Sequence, residues 1–155
     1  MPMLMKTWRQ TLYNDGIRVR IGRWNVCGNP IAILVDFTTL FASKDDVLKE
    51  LWDDYKVDSI SGQWDYVEPV LFGYLAGKVI ESYVDAFCAT TEKAVAHFHE
   101  WMTCSGGLYL RKHSPYIATV MSTHATVMGR CIAGNNLPLY GDLESFNADD
   151  LARQF

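Results

Sequence analysis

The stretch from Val95 to Cys131, VAHFHEWMTCSGGLYLRKHSPYIATVMSTHATVMGRC, limits the fold more than any other part of the chain. It reads as strand, helix, strand, and it holds all four histidines, His97, His99, His113 and His124. Val95, Ala96 and Phe98, and then the run Ile117–Met121, are short apolar stretches of the kind that become buried strands of a parallel sheet. Polar residues follow each: His99, Glu100 and Trp101 after the first, Ser122, Thr123 and His124 after the second. Ligands of open α/β sheets sit at the C-terminal ends of strands. Two histidines arriving at such ends from different strands therefore mark a candidate site.

The rest of the chain supports an α/β reading. Residues 3–13 place Met3, Met5, Trp8 and Leu12 at roughly helical spacing, and Asn14-Asp15-Gly16 stops that helix with turn chemistry. Ile17–Trp24 alternates, with Ile17, Val19 and Ile21 on one face and Arg18, Arg20 and Arg23 largely on the other, as in a half-buried strand. Gly28-Asn29-Pro30 is a turn, and Ile31–Phe37 is the next strand, so a hairpin and a mixed sheet are expected here. The three arginines read as a solvated strand face.

Ser43 is placed to cap a helix that carries Val47, Leu48, Leu51, Trp52 and Tyr55 on its apolar side. Its acids, Asp46, Glu50, Asp53 and Asp54, are expected on a solvated face, since general acid–base work needs a cleft and shifted pKa values. Asp65 is a candidate cap for the following helix, with Pro69 in its first turn. Val70–Phe87 is the longest apolar-periodic segment, and Gly73 and Gly77 read as a close approach of this helix to a sheet. Gly106 and Gly107 read as a strand-to-helix turn where backbone N–H groups could approach a phosphate or sugar, with the helix proper from Gly107 to Lys112. Past His124 a glycine- and arginine-bearing segment opens a loop or helix. Asn147 is placed to cap a last short helix that includes Leu151 and Phe155.

Composition sets the outer limits. The 155 residues suit one domain, and 49% hydrophobic against 21% charged content excludes a disordered or fibrous chain. A net charge of −4 gives no footprint for nucleic acid. No apolar run is long enough to span a membrane, and the first residues do not read as a signal peptide. Cys27, Cys88, Cys104 and Cys131 lack zinc spacing and read as free thiols in a reducing, cytoplasmic setting. His97 is expected on the opposite strand face from His99 and so structural, which argues against a metal site built from the four histidines. His113, at a helix end, reads as a partner of the helix dipole.

HFHEW, followed some twenty residues later by ATVMSTHATVMGR, resembles the glycogen synthases of the animal and fungal type, which also occur in some bacteria. LYGDLESFN downstream is similar to the segment that follows in that family. GRW at Gly22–Trp24, LVDF at Leu34–Phe37, ELWDDY at Glu50–Tyr55 and VLFGYLAG at Val70–Gly77 fit as well. The resemblance implies a three-layer Rossmann-like domain, a mostly parallel sheet with helices on both faces, as in the N-terminal half of a GT-B glycosyltransferase. It implies retaining transfer of glucose from UDP-glucose, favoured over ADP-glucose, to the non-reducing end of an α-1,4-glucan. The nucleotide sugar is then a co-substrate, and neither a cofactor nor a metal is called for.

Carried over by the same resemblance, His99 is the catalytic-site histidine that contacts the transferred glucose. His124 lines the same cleft, Arg130 lies near donor or regulator phosphates, and Glu100, with Trp101, completes the first motif on the substrate side. Members of the family are several times longer. Their lysine-and-glycine donor loop would precede residue 1 and their nucleotide-binding half would follow residue 155, so residues 1–155 are expected to be a partial N-terminal domain, inactive alone. The alternative is a non-catalytic α/β module that binds glucan or nucleotide weakly, or forms a homo-oligomer through an exposed sheet edge.

Overall fold

Helix α3 (Trp64–Phe87) is the spine of the molecule, and its sequence shows why: it is apolar around most of its circumference rather than along one stripe. In the computed structural model, which describes residues 3–59, 61–138, 140–141, 144, 147, 149–150 and 153, two cores form against this helix. Val67, Val70, Leu71 and Tyr74 pack with Val47 and Leu51 of α2 (Lys44–Tyr55), Ala96 and Phe98 of β3 (Val95–His99), and Tyr109 and Leu110 of α4 (Cys104–His113). Leu75 and Val79 pack instead with Met5, Trp8 and Leu12 of α1 (Met3–Asn14). Val19 and Ile21 of β1 (Arg18–Arg23) and Ile33 and Val35 of β2 (Ile31–Asp36) close over this second core.

The strands stand in two pairs. β1 and β2 are antiparallel, with Val19 opposite Val35 and Ile21 opposite Ile33, so their inward residues face each other directly across the ladder. The hairpin is closed by Arg23, whose guanidinium donates to the Asn29 carbonyl at 2.8 Å. β3 pairs in parallel with β4 (Ala118–Ser122) through the crossover that contains α4. The architecture is α/β and Rossmann-like, but its sheet is small and divided rather than continuous. The strands are correspondingly less buried than their composition suggests. In β3 only Ala96 and Phe98 are buried, while Val120 and Met121 of β4 stand about half exposed. One face of β3 is covered by α3 and α4, so burial alternates along it.

Several local expectations are corrected. The helix α4 begins at Cys104, not Gly107, and a 3-10 turn, Trp101–Thr103, leads into it. Gly106 and Gly107 thus lie inside a helix instead of at a ligand-facing turn. Gly73 and Gly77 meet α4 rather than a sheet: a Cβ on Gly77 would stand 2.8 Å from the Gly106 carbonyl oxygen, and one on Gly106 would stand 2.7 Å from the Phe98 ring. The N-cap position of α3 is Gln63, not Asp65, which puts Pro69 in the second turn, where its missing N–H leaves the carbonyl four residues back without its helical donor. Asp36 ends β2 by capping the 3-10 segment Phe37–Ser43, its carboxylate accepting from the Thr38 N–H at 3.2 Å and the Thr38 hydroxyl at 2.6 Å. Those bonds, the hydroxyl's first, hold its pKa below the usual carboxylate range.

Residues up to Met121 form one compact unit and those from Ser122 a second. In the second unit, α5 (Val127–Gly134) gives a helical form to the segment after His124, and Asn147 accepts from the backbone N–H groups of Asp149 and Asp150. Leu151 and Phe155 lie outside the described residues, as do Leu139, Asp142, Leu143, Ser145 and Phe146 of LYGDLESFN. Among the described residues no helix is long and apolar enough to cross a membrane, and the four cysteines are unpaired.

Candidate functional site

His99 is the last residue of β3 and is exposed. On a strand, residues i and i+2 share a face. His97 therefore stands beside His99, not opposite it: their rings lie 4.2 Å apart, tilted by 33°. This corrects the expectation that the two histidines diverge. Their common face, bounded by exposed Val95, presents two imidazoles that donate and accept hydrogen bonds near neutral pH. Among the described residues, no group of three or more metal-ligating side chains gathers around them or elsewhere.

The chain turns sharply at the next residue. Glu100 has φ 63° and ψ 168°, a conformation almost confined to glycine, whose cost for a residue with a Cβ is about 1–3 kcal/mol. The surroundings hold it there. The Thr103 hydroxyl donates to the His99 carbonyl at 2.8 Å and to the Glu100 carbonyl at 3.3 Å, and the Cys104 thiol reaches the same Glu100 carbonyl at 3.6 Å. Trp101 lies parallel to Tyr66 of α3, with ring centroids 6.1 Å apart. Burial pushes the Cys104 thiol above its ordinary pKa, so it sits there as a neutral donor. Thr103 and Cys104 escaped the sequence reading, although a threonine three or four residues after a strand end is a recognisable backbone-bonding position.

The base of this turn is fixed by the seam between α3 and α4. Ser105 is buried and its hydroxyl donates to the Val70 carbonyl at 2.7 Å. With Gly73, Gly77 and Gly106 lacking side chains, the two helix backbones come into contact just behind the turn. At the other end of α4 a polar clasp takes over. Glu50 of α2 accepts from Tyr74 at 2.6 Å, Lys112 at 3.1 Å and His113 at 3.0 Å, and Asp54 accepts from Lys112 at 2.6 Å. Burial raises the pKa of Glu50, but the bonds from Tyr74, His113 and Lys112 outweigh it and hold the carboxyl at about 2. Glu81 receives the hydroxyls of Tyr109, at 2.5 Å, and Ser114. Burial, followed by the bonds to Glu50 and Glu81, raises Tyr74 and Tyr109 well above the ordinary phenol range. The acids of α2 expected on a solvated face are thus split: Glu50 and Asp54 clasp α4, while Asp53 pairs with Lys49 on the surface.

The second histidine motif is organised by its second threonine. Thr126 is the N-cap of α5 and its hydroxyl accepts from the Gly129 N–H at 2.9 Å. The Thr-x-x-Gly spacing fits this cap, because a Cβ on Gly129 would press on the Thr126 hydroxyl at 3.0 Å. His124 lies in the bend before the cap, and Arg130 is an exposed residue of the first turns of α5. His99 and Glu100 are brought together at the end of β3 in the first unit; His124 and Arg130 belong to the second.

A family model described as glycogen synthase matches residues 2–154. The chain belongs to the glycogen synthase family. It is 30% identical over 146 residues to glycogen (starch) synthase of Neurospora crassa, covering 94% of this chain and 20% of that protein. The Dictyostelium discoideum enzyme of the same name is 31% identical over 86% of this chain and 15% of its own length. The Caenorhabditis elegans one is 32% identical over 87% and 20%. The chain thus spans about a fifth or less of the relatives it matches. The strained turn at Glu100 lies within HFHEW, the first of the two motifs that carry the resemblance.

Proposed function

We propose that this stretch belongs to the N-terminal Rossmann-like half of a two-domain, retaining glucosyltransferase, and forms part of its sugar-facing edge. Glucose passes from UDP-glucose, in preference to ADP-glucose, to the non-reducing end of an α-1,4-glucan. The observation that carries the reading is the placement of His99: exposed, at the C-terminal end of a strand, and fixed by a strained turn. In the proposed role His99 hydrogen-bonds the hydroxyls of the transferred glucose and orients the ring for attack at the anomeric carbon. Glu100 holds that geometry and faces the substrate. Arg130 offers a planar fork of donors to phosphate oxygens, and His124 lines the cleft. Self-association through an open edge of either strand pair is the subsidiary part of this reading, and its readout is the sedimentation mass of the chain.

The test is transfer of labelled glucose from UDP-glucose to glycogen by a full-length protein containing this stretch, with and without His99→Ala. The expected result is a loss of about 100-fold or more with an unchanged melting temperature, as for removal of a preorganised hydrogen bond at a reacting centre. Transfer within a few-fold of the parent rejects the role of His99.

A further inference from the structure

The turn at Glu100 holds the His99 imidazole in place through the backbone and leaves its rotation to its neighbours. The second side-chain torsion of a histidine joins an sp³ to an sp² carbon and has broad wells, so the ring swings unless something lies against it. His99 is exposed, and packing from the core does not stop that motion. The ring of His97 lies against it, 4.2 Å away and tilted by 33°, closer than the about 4.5–7 Å of most aromatic pairs. His97 is flanked in turn. Val95 stands two residues before it on the same face of β3. The Ala118 N–H donates to the Ala94 carbonyl at 3.1 Å, and in a parallel ladder that register sets Val120 of β4 beside His97. An exposed strand position between two valines suits another β-branched residue at least as well as histidine, so the flat ring there calls for an account.

We infer that His97 is a positioning residue for glucose transfer: its ring limits the rotation of the His99 imidazole, so that the His99 nitrogens keep one direction toward the sugar hydroxyls. The inference rests on the role proposed above for His99. Hydrogen bonds weaken steeply once the angle at the hydrogen falls below about 120°, so a swinging ring holds its nitrogens off line for much of the time. A ring already set before substrate arrives leaves less ordering to the reacting complex. This task needs a flat surface two residues before His99 on the same strand face, and not a polar group. The seam between α3 and α4 thus fixes the backbone of His99, and its own strand fixes the ring.

The experiment resolves kcat and KM for glucose transfer from UDP-glucose to glycogen by a full-length protein containing this stretch. The variants are His97→Val, His97→Phe, His99→Ala and the double variant His97→Val/His99→Ala. Valine is a strand former, so His97→Val should leave the melting temperature unchanged. Its kcat should fall about ten-fold with KM for UDP-glucose within about two-fold of the parent, since orientation for attack is what is lost. His97→Phe, which restores a flat ring, should transfer within about three-fold of the parent. Because His97 acts through His99, the double variant should be no slower than His99→Ala alone. Parental transfer by His97→Val overturns the inference. Equal losses in the valine and phenylalanine variants overturn it too, as do losses that multiply in the double variant. Parental transfer by His99→Ala rejects the role of His99 and this inference with it. Loss of transfer in His99→Ala but not in His97→Val rejects the inference alone.

Discussion

The two ends of helix α4 are held by opposite means. At its N-terminal end, next to His99, the contact with α3 is made by removing side chains: Gly73, Gly77 and Gly106 let backbone meet backbone. At its C-terminal end the contact is made by adding polar groups: Glu50, Glu81, Tyr74, Tyr109, Lys112, His113 and Ser114. The first contact has no adjustable part, because a close-packed backbone cannot shift without moving both helices. The second is partly exposed and titratable, so it tolerates loss of one member and varies with pH. Rigidity is therefore placed where a strained turn must be kept in position, and adjustability where only the helix must be kept from swinging.

The largest effect is expected at Gly106. Its replacement by alanine drives a methyl group into the Gly73 carbonyl and the Phe98 ring, and we expect a loss of about 3 kcal/mol or more in urea unfolding, at or beyond the upper end for overpacking. The neighbouring Gly107→Ala is the control: its Cβ would lie 3.5 Å from Phe98, an ordinary contact, and helix propensity alone should make it neutral or stabilising by up to about 1 kcal/mol. Equal losses at the two positions would mean that the seam does not exist as described.

The clasp should give a smaller and pH-dependent effect. Glu50 titrates near 2 in the folded chain against an ordinary value of 4.5. Its contribution is thus fully present above about pH 4.5 and is lost as the pH falls toward 2. Glu50→Gln should cost about 2 kcal/mol at neutral pH, in the range of hydrogen bonds to a charged group, and flatten the acid limb of stability measured by urea unfolding at stepped pH. A variant with the parental acid limb would remove Glu50 from the account. The smallest effect is expected at Lys49→Ala. Its ion pair with Asp53 spans 2.6 Å but lies on the open side of α2, so an unchanged melting temperature separates the clasp from ordinary surface pairing.

The sequence carried the elements well where the signal was local. Apolar periodicity located α3, alternation located β1 and a continuous apolar run located β2, because burial is written into successive residues. It also placed His99, Glu100, His124 and Arg130 in their motifs. What it concealed depends on partners distant in the chain. Gly106 looked like a turn glycine because nothing near it announces Gly73, thirty-three positions earlier. Glu50 looked solvated because Tyr74 and Lys112 lie on other helices. The left-handed φ of Glu100 has no residue signature at all, since glycine is the usual occupant of that conformation. The common face of His97 and His99, by contrast, follows from strand periodicity alone and was open to the sequence. The Thr126 cap was equally open to it.

In the role proposed for His99, a rigid seam keeps Glu100 strained and so holds the imidazole in place. Glu100→Gly tests it most directly, in a full-length protein assayed for glucose transfer from UDP-glucose to glycogen, with Glu100→Ala as the control for the lost carboxylate. Glycine adopts the observed φ without strain, so this variant should melt no lower than Glu100→Ala. It should nevertheless transfer at least about ten-fold more slowly than the parent, because the turn is no longer held to one geometry. A glycine variant that transfers at the parental rate would contradict the claim.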